Sequence, residues 1–232
     1  MLNPNGKSRI GPHTVLASDV LSRSFYDRDA VLVAQELLGK LVVRRARAGL
    51  CIGRIVETEA YLAEGDPACH SFRGKTKKNA TMFGRPGVAY VYSIHARYCM
   101  NAVTEAKGRA SAVLIRAIEP LVGIDLMQHR RGVERVTDLC RGPARLCEAL
   151  GVNRLLDGWD ITRCKRLWIA EDSQPAGAGV RIARSLRIGV TSAKEAALRF
   201  FIDRSPFVSG AKNLHTTPAI DLAPRTKAAE ST

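Results

Sequence analysis

Glu57 and Glu59 are two residues apart, and Tyr61 follows after the same interval, in the run Arg54-Ile55-Val56-Glu57-Thr58-Glu59-Ala60-Tyr61. The apolar start of this run predicts a strand, and alternation then puts Glu57, Glu59 and Tyr61 on one face. A carboxylate beside an aromatic ring at a strand's end can serve as a general base next to a flat ligand. An ordinary solvent-facing strand edge would use the same residue types. Four of the chain's five tyrosines (61, 90, 92 and 98) fall close together. A phenol offers a π-face to a base and a hydroxyl to a sugar or phosphate; a core aromatic cluster is the competing reading. Asn101 and Arg116 stand in otherwise apolar strands, where an unpaired amide or guanidinium is costly. Both are therefore expected to face a ligand cavity, with an Arg116–carboxylate salt bridge on a half-exposed strand as the alternative. The loop from Ala68 to Asn79 carries His70, Arg73, Lys75, Lys77 and Lys78. Such a loop can hold phosphates through side chains and backbone N–H groups, or it can simply be solvated.

The chain that must position these groups has 232 residues, 46% of them apolar, which suits one well-buried core and excludes a disordered protein. No apolar run approaches the roughly 18 residues of a membrane span, and the first residues lack a secretory pattern, so a cytoplasmic protein is expected. Lys and Arg number 36 against 22 Asp and Glu, for a net charge of +14. A compact domain so charged repels itself unless a polyanion is near, and nucleic acid is the expected partner. A basic composition with no function behind it is the bland alternative. The six cysteines form no CxxC pair and the five histidines no HExxH spacing, so reduced thiols and no metal are expected.

Residues 1–17 and 211–232 read as loose tails around one domain at 18–210. Asp29 can cap a helix over Val31–Leu38 that Gly39 stops. Strands are expected at 41–43, 52–56, 88–92, 98–103 and 111–116, and later at 167–169, 187–190 and 199–202. Helices are expected from Leu121 to Gln128 and from Pro143 to Gly151. Strands joined by short turns imply antiparallel pairing, and the fold class is α+β: a curved antiparallel sheet with helices around it.

Blocks running from Glu36-Leu37-Leu38-Gly39-Lys40 to Ser205-Pro206-Phe207-Val208-Ser209 resemble, in order, the alkyladenine/3-methyladenine DNA glycosylase family. Between them stand Arg54–Tyr61, His70-Ser71, Tyr90-Val91-Tyr92, Cys99-Met100-Asn101, Leu114-Ile115-Arg116-Ala117, Gly142-Pro143 and Arg187-Ile188-Gly189-Val190. The resemblance implies an enzyme that flips damaged purines out of double-stranded DNA and hydrolyses their N-glycosidic bond without metal or cofactor; a monomer is expected. It implies that Glu59 activates a water and that Arg116 helps hold the water or the flipped nucleotide's phosphate. Tyr61 would stack on one face of the base, His70 and Tyr92 on the other, and Asn101 would crowd the 2-amino group of guanine. The family places an intercalating Tyr shortly after the Tyr-Val-Tyr block. Here His95 falls at that point, with Arg97 and Tyr98 beside it to share the task. A non-catalytic damaged-DNA-binding domain and a free-nucleoside hydrolase are the competing functions.

Overall fold

The stretch that carries the paired glutamates becomes the central strand of the molecule. The computed structural model describes residue 15, residues 17–173 and residues 181–215; the expected tails lie mostly outside these. Among the described residues, helices α1 (Arg23–Tyr26) and α2 (Ala30–Glu36) precede strands β1 (Leu41–Ala46) and β2 (Gly49–Tyr61). Strands β3 (Ala89–Ile94), β4 (Arg97–Thr104) and β5 (Ser111–Val122) follow, then helices α3 (Ile124–Arg131), α4 (Val136–Leu139) and α5 (Pro143–Leu150). Strands β6 (Leu167–Ala170), β7 (Ile182–Ser185) and β8 (Arg199–Ile202) complete the sheet. All pairings are antiparallel, in the order β3-β4-β5-β2-β1-β6. Strand β2 changes neighbours along its length: β1 lies beside its first half and β8, which also pairs β7, beside Glu57–Glu59. The class is the expected α+β with a curled antiparallel sheet.

One face of the sheet buries its apolar residues under α2 and α5. Val42, Ile55, Ala60, Met100, Val113 and Ile115 meet Val33, Ala34, Leu146 and Leu150 there. Asp29 starts α2 as expected, its Oδ1 accepting from the N–H of Val31 at 2.9 Å and of Leu32 at 3.1 Å. Thr58 points the same way and donates its hydroxyl to the Ala34 carbonyl at 2.8 Å. Glu57, Glu59 and Tyr61 therefore point to the opposite face.

Two expected elements lie elsewhere. The helix expected from Leu121 begins only at Ile124, because Val122 is still paired with Ile52 in the β2–β5 ladder. Gly123 makes the turn at φ 76°, where a Cβ would meet the Leu50 carbonyl oxygen at 2.3 Å. The strand expected at 187–190 is instead a turn with Gly189 at φ 80°, and the strand of this region is β7, a few residues earlier. The reason is local: the Ile188 N–H serves a side chain, not a neighbouring strand. The short helices α1 and α4 have no period long enough to be read in advance.

Candidate active site

A single row of side chains crosses four strands on the face away from α2. Tyr90 on β3 lies opposite Asn101 on β4, Asn101 opposite Leu114 on β5, and Leu114 opposite Glu59 on β2. Over this row opens a pocket of about 240 Å³. Its walls include Tyr61, His70, Met82, Tyr90, Tyr92 and Asn101, and the turn Gly189–Thr191 closes one side. Tyr61, His70, Tyr92 and Asn101, separate in the sequence, thus share one cavity. The His70 and Tyr92 rings meet edge to face with centroids 4.6 Å apart, and His70 Nδ1 lies 3.0 Å from the Tyr90 hydroxyl. One edge of His70 stays open to solvent, yet desolvation against these rings lowers its pKa and favours the neutral imidazole. Burial pushes Tyr90 up to about 12 and Tyr61 and Tyr92 further, so all three are neutral phenols at pH 7. Asn101 is fixed by donating Nδ2 to the Tyr90 carbonyl at 3.0 Å.

Glu59 and Arg116 do not line this cavity; they stand one layer behind its wall. Glu59 is fully buried. Its Oε2 accepts from the Tyr61 hydroxyl at 2.8 Å, and its Oε1 accepts from the Ile188 N–H at 2.8 Å, with Arg116 Nη1 at 3.2 Å. Burial raises the Glu59 pKa, and Arg116, the Ile188 N–H and the Tyr61 hydroxyl only partly offset it. Tyr61 is held from another side by Arg187, whose guanidinium carbon lies 4.7 Å from the ring centroid. Arg187 itself is locked to buried Asp66 by two bonds of 2.7 Å.

Arg116 owes its aim to an irregularity in the ladder. Ile55 pairs with Ile118, Glu57 with Ala117 and Thr58 with Ile115, so Val56 on β2 and Arg116 on β5 are each left without an opposite number. Such bulges turn a side chain out of the regular alternation. Arg116 Nε donates to Glu57 Oε1 at 3.0 Å, Nη1 to the Ile188 carbonyl and Nη2 to Ser209 Oγ, both at 3.3 Å. Glu57 also accepts from Arg199 Nε at 2.6 Å, from Ser209 N–H at 2.7 Å and from Ser209 Oγ at 2.9 Å. Burial opposes the charge on Glu57, but Arg116, Arg199 and Ser209 outweigh it and hold this carboxyl below its usual range. Neither reading of the carboxylates as a solvent-facing edge nor of Arg116 as half-exposed describes this cluster. Sequence reasoning missed Arg199, Ser209, Asp66 and Arg187. One signal was present: Arg199 interrupts the apolar run Leu198–Ile202 as Arg116 interrupts its own strand.

The remaining expected residues lie on two exposed segments that adjoin residues of the pocket wall, the turn after Ile94 and the loop after His70. β3 and β4 join through His95 and Ala96, at φ 46° and 61°, the two left-handed positions of a tight hairpin turn. This presents His95 and Arg97 to solvent next to Ile94, which lines the pocket. Arg73, Lys75, Lys77 and Lys78 are exposed on the loop after His70. Asn79 shapes that loop, donating to the carbonyls of His70 and Gly74 at 2.8 and 3.0 Å and accepting from the Thr76 N–H at 2.6 Å. No group of three His, Cys, Asp or Glu among the described residues is placed to hold a metal ion. No helix among them is long and apolar enough to cross a membrane.

Comparison with known proteins gives one consistent match. Residues 24–206 match the model of the methylpurine-DNA glycosylase family. A protein of Carboxydothermus hydrogenoformans is 45% identical over 191 residues, covering 82% of this chain and 98% of that protein. One of Mesorhizobium japonicum is 47% identical over 195 residues, covering 84% and 92%. Both carry the provisional name 3-methyladenine DNA glycosylase.

Proposed function

The chain belongs to the methylpurine-DNA glycosylase family, and on that premise we propose that Glu59 activates a water to cut damaged purines from duplex DNA. The enzyme is a DNA glycosylase, a hydrolase of N-glycosyl bonds. Its proposed substrates are alkylated and deaminated purines of the 3-methyladenine, 7-methylguanine and hypoxanthine class. It acts as a monomer.

The observation that carries this reading is the environment of one carboxylate. An ionised carboxylate has about four acceptor positions; at Glu59 the Tyr61 hydroxyl takes one on Oε2 and the Ile188 N–H one on Oε1, with Arg116 Nη1 as an ion-pair partner 3.2 Å from Oε1. An acceptor position on Oε2 is left to take a proton from water. Breaking a glycosidic bond builds positive charge on the sugar, and a desolvated carboxylate stabilises that charge better than a solvated one. The flipped base enters the aromatic pocket between Tyr61 and the His70–Tyr92 pair. Neutral phenols attract a cationic alkylpurine through their π-faces, by roughly 0.5–2 kcal/mol per contact. Asn101 crowds a 2-amino group and so disfavours undamaged guanine; 7-methylguanine bears the same group, but its positive charge makes it a good leaving group and keeps it in the substrate class. Extruding a nucleotide costs a few kcal/mol, least at a damaged or mispaired base. His95, with Arg97, fills the space it leaves; Tyr98 is partly buried and packs against the main core instead. The cations of the 73–78 loop take flanking phosphates.

The test is release of free base, under single-turnover conditions, from duplexes carrying hypoxanthine or 7-methylguanine. Wild-type protein is expected to release base from at least one; Glu59→Gln is expected to bind the same duplex and leave it whole. Intact DNA with wild type would favour a damaged-DNA-binding domain without catalysis. Cutting by Glu59→Gln at the wild-type rate would remove Glu59 from the mechanism.

A further inference from the structure

We propose that Glu57, which never reaches the pocket, is a positioning residue that keeps Arg116 from clasping Glu59 with both arms of its guanidinium. The inference rests on the reading of Glu59 as the general base. A free guanidinium next to a carboxylate prefers a two-pronged pairing that engages both carboxylate oxygens. Here it does not form. The Nε edge of Arg116 is taken by Glu57 at 3.0 Å, and only Nη1 stands near Glu59, on Oε1 at 3.2 Å. Oε2 keeps a single partner, the Tyr61 hydroxyl. A base with both oxygens clasped would have no acceptor position facing the sugar.

Glu57 can hold this post because it is itself immobilised. Four donor atoms converge on its two oxygens, from Arg116 on β5, Arg199 on β8 and the N–H and hydroxyl of Ser209. His215 secures the Ser209 carbonyl at 2.9 Å and Arg199 bonds the Leu214 carbonyl at 3.0 Å, so the segment after β8 is tied to the same cluster. The charged groups around Glu57 are Arg116 and Arg199, with Glu59 next but one on its own strand. Two carboxylates and two guanidiniums thus balance one another, Glu57, Glu59 and Arg199 wholly buried and Arg116 nearly so.

The experiment measures single-turnover excision against pH for wild type, Glu57→Gln and Glu59→Gln on the duplex that wild type cuts. For Glu57→Gln the plateau rate is expected to fall by about 100-fold, the scale of a small misplacement of reacting groups, with unchanged affinity for the DNA. Its acid limb is expected to move to lower pH. Two effects act in that direction: a negative charge facing Glu59 is gone, and Arg116 is free to bind Glu59 more closely. A purely structural role for Glu57 would lower the amount of folded protein and leave the plateau rate of the folded fraction at the wild-type value, and that outcome overturns the proposal. So does an acid limb that stays in place. If Glu57→Gln does not fold, the paired variant Glu57→Met with Arg199→Met decides, because it removes one charge of each sign. Folded and slow supports positioning; folded and as fast as wild type refutes it. Failure of the underlying reading looks different: Glu59→Gln then cuts normally, whatever Glu57 does.

Discussion

The floor behind the pocket and the rim around its mouth are built on opposite physical terms. Behind the pocket every charge has a partner: Glu57, Glu59, Arg116 and Arg199 are almost wholly buried and bonded to one another. On the rim, His95, Arg97, Arg73, Lys75, Lys77 and Lys78 are exposed, on a strained hairpin tip and a loop shaped by Asn79. Groups that must stabilise a developing charge need fixed geometry and little competing water. Groups that must meet a passing polyanion need to be free until it arrives. The positive charge of this chain is thus divided between two places. Its buried arginines neutralise carboxylates, and its exposed cations are the ones proposed to meet phosphates.

The comparison breaks first at Glu59. Glu59→Gln is expected to lower the single-turnover rate by about 10²–10⁴, the contribution of a general base, with DNA affinity kept. A loss of affinity equal to the loss of rate would show that the floor, too, is a binding surface. The next effect is on stability. Arg116→Ala leaves two buried carboxylates short of a cation and is expected to cost about 3–5 kcal/mol. Lys77→Ala on the rim is expected to stay within about 0.5 kcal/mol of wild type. Urea denaturation of the two variants side by side measures the contrast.

Acid should separate the two carboxylates of the floor. The proposed reaction uses ionised Glu59, whose pKa burial raises, so activity is expected to be lost as pH falls through a value above the ordinary carboxylate range. Glu57 is held below its unfolded value by Arg116 and Arg199. Its contribution to stability is present above the unfolded pKa and is lost only as pH falls through the lower folded one. Excision rate and far-UV circular dichroism followed over one pH series are expected to show activity failing while the fold persists. Unfolding that precedes the decline in rate would refute this order. The smallest effect belongs to the rim: replacing Lys75, Lys77 and Lys78 with Gln is expected to make the salt dependence of DNA binding shallower, by about one unit of slope for each phosphate no longer neutralised. The excision rate on saturated enzyme should hold.

Much of this molecule is legible in its residues. Period-two alternation puts Glu57, Glu59 and Tyr61 on one face, Asp29 marks the start of α2, and the apolar strands that contain Asn101 and Arg116 pair as expected. Those are local properties, set by the geometry of an extended chain or a first helical turn. What alternation could not do is tell Glu57 from Glu59, since both satisfy it equally. Resemblance picks Glu59, but the physical distinction comes from residues far along the chain: Ile188 on Glu59, and Arg199 and Ser209 on Glu57, at separations of 129, 142 and 152 positions. The bulge that frees Arg116 from its ladder and the turn at Gly189 are likewise products of packing, because each exchanges a regular backbone pairing for contacts with a distant element. The sequence alone determined which residues could carry the chemistry. The tertiary structure decided how the two carboxylates differ, with four hydrogen-bond donors on Glu57 and two on Glu59, because most of those donors arrive from distant segments of the chain.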